Sequence, residues 1–109
     1  MIIYNCTFML DKALGQDFLR WLKEEALTPL TQGLTHPEPR LTRLIDVPGD
    51  PEFNNHALSY ALQLEFDTLA EAQRWARTVL QSVTGMYTAR FGAEKALLFT
   101  TILQDIPLR

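Results

Sequence analysis

The stretch ALSYALQLEFDTLAEAQRW, residues 57–75, carries both periods from which the fold is read. Over its first ten residues Leu58, Tyr60, Leu62, Leu64 and Phe66 alternate with Ser59, Ala61, Gln63 and Glu65. That two-residue period is a strand with one apolar face and one mixed face. After Asp67 the period changes. Ala72, Trp75, Ala76, Val79, Leu80 and Val83 fall on one helical stripe. Thr68 and Glu71 stand at capping-box spacing, each able to satisfy an otherwise orphan amide of the other. A strand that feeds directly into a capped helix is half of a β-α-β unit.

Working outward, Gly85 is expected to interrupt or kink the helix, and RFG (90–92) closes it, with Gly92 as its C-terminal cap. KALLFTTIL (95–103) is an apolar run of strand length. Upstream, PGDPEFNNH (48–56) is turn-forming at nearly every position and reads as a long hairpin loop, preceded by a strand RLTRLIDV (40–47). TQGLTHPEP (31–39) is a connection. DKALGQDFLRWLKEEALTPL (11–30) is a helix capped by Asp11, with Leu14, Phe18, Trp21, Leu22 and Ala26 on one stripe and Pro29 and Gly33 ending it. The opening MIIYNCTFML (1–10) alternates again: Ile2, Tyr4, Cys6 and Phe8 on one face, Ile3, Asn5, Thr7 and Met9 on the other.

The order β-α-β-β-α-β predicts an α+β, ferredoxin-like domain over residues 1–109, a four-stranded antiparallel sheet with both helices on one face. The helices then cover Tyr4, Cys6, Phe8, Tyr60, Leu62 and Leu64. The face of Asn5, Thr7, Ser59, Gln63 and Glu65 has no element of its own chain left to cover it. Ile3, Met9 and part of the apolar last strand share that face, a patch larger than monomers usually leave bare, so a homodimer paired sheet to sheet is expected.

Composition narrows the function classes. With 47% hydrophobic and 21% charged residues the chain is that of a folded soluble protein. A net charge of −3 and the absence of a basic face exclude nucleic acid as the expected partner. No apolar run is long enough to span a bilayer and no leader pattern is visible, so a cytoplasmic location without membrane attachment is expected. The single cysteine, Cys6, precludes an internal disulfide.

The opening MIIYN, WLKEE on the first helix and the closing RFGAEKALLFTTIL resemble a family of small bacterial proteins described as domain of unknown function 4286. The likeness covers nearly the whole chain and is weakest from Gly33 to His56. It implies a ferredoxin-like protomer that pairs as a dimeric α/β barrel, and it supplies no activity. In that family a His and a Pro usually follow Lys-Glu-Glu. Here Ala26, Leu27 and Thr28 follow, and the second helix carries TVLQSVTGMYTARFG in place of an acidic, His-containing stretch. A role of those histidines does not carry over.

For chemistry, Asn5, Thr7, Gln63 and Glu65 are the candidate ligand-binding residues, set against a wet or polar dimer face. Phe53, an aromatic alone in its loop, is the candidate partner contact, with Trp21 behind it. RNA-recognition domains share the topology but stack bases on aromatics of the open face, whereas Tyr4 and Tyr60 point with the core. Haem-degrading monooxygenases of the dimeric barrel class combine a first-strand Asn with a Trp and a His on the second helix. Asn5 and Trp75 resemble two of these, but His36 and His56 fall in predicted loops. A phosphate-cradling loop is lacking after the first strand, where the chain reads LDKALG. Neither Cys6 nor the two histidines have metal-ligand spacing. The expected function is therefore a non-enzymatic binding or regulatory module, holding a small apolar or amphipathic molecule or docking a protein partner. A cofactor-independent or haem-linked monooxygenase is the alternative. No catalytic residue, metal or cofactor is assigned.

Overall fold

The computed structural model describes residues 1–45 and 57–109. The two alternating segments pair along their whole length: β1 (Ile2–Asp11) runs antiparallel to β3 (Ala57–Phe66), with Asn5 opposite Gln63 and Cys6 opposite Leu62. β4 (Ala96–Gln104) lies antiparallel on the other edge of β1, and β2 (Arg40–Arg43) antiparallel on β3. The sheet order is β2-β3-β1-β4, the ferredoxin-like order expected of this α+β chain. The predicted second strand is cut short. It ends at Arg43, while Leu44 and Ile45 are largely exposed and Asp46 and Val47 lie outside the described residues, as does the predicted hairpin loop. An edge strand of four exposed residues with an arginine at each end has little burial to extend it.

Helix α1 spans residues 12–31 as four successive segments: 3-10 Lys12–Leu14, α Gly15–Trp21, π Leu22–Ala26 and α Leu27–Thr31. Asp11 caps it, its carboxylate accepting from the Ala13 amide at 2.9 Å. Pro29 does not end this helix. A proline ring meets the carbonyl four residues back, and that residue, Glu25, lies inside the wide π turn, where the ladder is already displaced. The helix stops at Thr31, and Gly33 follows at a φ of 76°.

Helix α2 spans residues 69–91, as α Leu69–Trp75, π Ala76–Leu80 and α Gln81–Phe91. The Thr68 hydroxyl accepts from the Glu71 amide at 3.2 Å. Gly85 neither interrupts nor ends it. The irregularity sits earlier, at the π turn, and Gly85 lies on an open side where a Cβ would meet nothing within 4 Å. Gly92, at a φ of 89°, donates its amide to the Thr88 carbonyl and closes the helix as expected. Both helices share a local design: a seven-residue α segment ending in Arg-Trp, followed by a five-residue π turn.

The core lies between sheet and helices. Tyr4, Cys6, Phe8 and Leu10 of β1 and Tyr60, Leu62, Leu64 and Phe66 of β3 are buried against Phe18, Trp21, Leu22, Ala26, Ala72, Trp75, Leu80, Val83, Tyr87 and Phe91. Its centre is aromatic: Phe18 stacks on Tyr60 at 5.1 Å and Tyr4 meets Trp75 edge-on at 5.3 Å. Trp21, expected as a contact for a partner, is instead 3% exposed and packed against Phe91. An aromatic on the apolar stripe gains more from burial than a solvated position offers. Val79 is only half-buried. The molecule measures 38 × 37 × 19 Å, so one helix layer covers one face of the sheet. Among the described residues no helix is long and apolar enough to cross a membrane.

Candidate functional site

The β1–β3 and β1–β4 registers turn the uncovered face into four rows. Leu103, Ile3 and Glu65 form the first, Thr101, Asn5 and Gln63 the second, Phe99, Thr7 and Ala61 the third, and Leu97, Met9 and Ser59 the fourth. Arg40 and Thr42 of β2 extend the second and third rows. All four candidate residues, Asn5, Thr7, Gln63 and Glu65, therefore share this face. Its two sides differ in character. Leu97, Phe99 and Leu103 on β4 are 45%, 52% and 41% exposed, whereas the β3–β2 side is polar.

The four residues do not converge on one point. The Asn5 Nδ2 donates to the Thr7 Oγ1 at 3.1 Å, along the strand rather than across it. The Asn5 Oδ1 is buried and has no hydrogen-bond partner among the described residues. Gln63 and Glu65 instead border a recess of about 410 Å³ with Ile3, Glu38, Pro39, Arg40 and Asp105. The β4 residues Leu97, Phe99, Thr101 and Leu103 complete the face. Their individual positions were hidden in the sequence because an unbroken apolar run has no period, and only the register with β1 assigns each a side. Phe53 and His56 lie outside the described residues.

Asn5 and Trp75, the pair that suggested an oxygenase, occupy opposite faces of the sheet. Trp75 is buried under the helix layer and its indole N–H donates to the Leu30 carbonyl at 2.9 Å. One chain does not bring them to a common site. Among the described residues no three His, Cys, Asp or Glu side chains are placed to hold a metal ion. Cys6 is fully buried, and desolvation pushes its thiol from 9.0 up to about 12, so it stays protonated and unreactive at neutral pH.

Comparison with known proteins adds fold and family. No curated protein matches the sequence. Among solved structures, the chain is similar to the crystal structure of an ethyl tert-butyl ether degradation (EthD) family protein from Bacillus halodurans C-125. The two share 18% identity with a TM-score of 0.58, over 97% of this chain and 100% of that one. At that identity the likeness concerns the fold alone. The family model for the domain of unknown function DUF4286 matches residues 1–106, and the chain belongs to that family.

Proposed function

We propose that the protein acts as a homodimer whose two uncovered sheet faces meet as a dimeric α/β barrel, a non-enzymatic binding or regulatory module. A small apolar or amphipathic molecule would be held between the sheets. The observation that carries this reading is the uncovered face itself, which sets exposed Leu97, Phe99 and Leu103 beside a half-buried polar row with an unsatisfied Asn5 carbonyl. Leaving so much apolar surface in water is unfavourable by about 25 cal/mol per Å², and a two-fold pairing of identical faces removes it on both copies at once. A second copy or a bound molecule also offers the donor that the Asn5 oxygen lacks.

Light scattering tests the pairing. The expected result is a particle of about twice 12.5 kDa at micromolar concentration, reduced to one chain by Phe99→Lys, which places a charge at the centre of the apolar side. A wild-type monomer at that concentration overturns the proposal. Native mass spectrometry of protein purified from its own host then reads stoichiometry and retained molecule together. A haem titration is expected to give no Soret shift of the axial-imidazole kind.

A further inference from the structure

A second concavity opens beside the helix layer and meets the uncovered face only at Glu65. It is a cleft of about 340 Å³ between the segment that follows α1 (Gln32–His36), the end of β3 (Glu65, Phe66) and the first two turns of α2 with its π turn (Glu71–Val79). Its apolar surface comes from Leu34, Phe66, Trp75 and Val79. Its polar groups are of both signs. Glu71 and Arg74 are three residues apart on one helix face, yet neither forms an ion pair with the other or with any other described residue. Across from them, the His36 Nε2 is hydrogen-bonded to Asp67 Oδ1 at 2.9 Å. A carboxylate only accepts, so the ring nitrogen donates in this contact. The π turn places Thr78 and Val79 on the cleft wall, and such wide turns occur preferentially at functional sites.

We propose that this cleft binds a small zwitterion with an apolar body, of the α-amino-acid type. The Arg74 guanidinium receives its carboxylate, the Glu71 carboxylate receives its ammonium group, and Leu34, Phe66 and Val79 receive its side chain. A purely anionic ligand is disfavoured because Glu65 and Glu71 border the same space, and a purely cationic one leaves Arg74 without a counter-charge. A volume of about 340 Å³ suits a molecule of this size. The proposal stands independently of the sheet-to-sheet dimer.

The test is calorimetric titration of the full chain with three probes that share one skeleton: L-leucine, 4-methylpentanoate (no amine) and 3-methylbutylamine (no carboxylate). Leucine is expected to bind at least about tenfold more tightly than either analogue, one charged hydrogen bond being worth about that factor. Arg74→Gln is expected to weaken leucine about tenfold and leave the amine unchanged, and Glu71→Gln to weaken leucine and the amine but not the acid. Both side chains are exposed, so the variants are expected to keep the wild-type melting curve. Equal affinities for the three probes, leucine binding weaker than about 10 mM, or an Arg74→Gln variant that binds leucine unchanged would each overturn the proposal.

Discussion

Asn5 donates along its own strand to Thr7 and keeps a buried carbonyl oxygen without a donor among the described residues. An unsatisfied group of that kind costs about 1–3 kcal/mol, so the isolated chain carries a local penalty that pairing can remove. Asn5→Ala is therefore expected to weaken dimerisation, measured by sedimentation across a dilution series. On β3, Leu62 is buried and its neighbour Gln63 faces outward. Leu62→Ala is expected to destabilise by about 2–5 kcal/mol and Gln63→Ala by less than about 0.5 kcal/mol, so coincident denaturation midpoints would contradict the strand phase. Cys6 gives a pH prediction. Its thiol is raised when folded, so it binds its proton more tightly than the unfolded chain does. The stability that Cys6 contributes is thus fully present below 9.0 and is lost as pH rises from there toward about 12. A thiol reagent at pH 8 is expected to label the protein only after denaturant is added. These residue assignments were legible because period two separates Leu62 from Gln63 without further information. The orphaned oxygen was not, since the choice between Thr7 and a cross-strand partner is made by side-chain rotamers.

At the level of elements, caps were more legible than interruptions. Asp11, Thr68 and Gly92 act where their side chains or backbone freedom suit them, because capping depends on neighbours within three or four residues. Pro29 and Gly85 misled for a common reason: each is read as a breaker, but each is accommodated by its helix. The π turn before Pro29 displaces the carbonyl that would block it, and no residue type announces such a turn. Gly85 persists in an open position mid-helix, where glycine is disfavoured by roughly 0.5–1 kcal/mol relative to alanine. Gly85→Ala is accordingly expected to raise the unfolding free energy by about that amount, and a lower denaturant midpoint would show that the position is constrained. Thr68→Ala should act in the opposite direction, at a cost of about 0.5–2 kcal/mol.

Across the whole molecule, the sheet with its single helix layer followed from the order of periods, and the uncovered face followed from counting which faces had a cover. Which residues of that face gather around a recess depended on β2 and on Asp105, whose places are set by the register of edge strands and by the chain leaving β4. Sequence spacing does not encode that proximity. The strand order has one more consequence, for the time course of assembly. Of the four strands of this sheet β1 leaves the ribosome before the others but lies inside the sheet, and its two neighbours are β3 and β4, about fifty to a hundred residues downstream. Non-local pairing of this kind slows folding, because distant segments must be brought together before the contacts compensate. During synthesis the apolar face of β1 must wait until Ala96–Gln104 emerge before both its edges are paired. A nascent chain halted after Phe91 would thus present an open edge of β1, and a ribosome-bound chain of that length is expected to recruit a holdase chaperone more strongly than the completed protein.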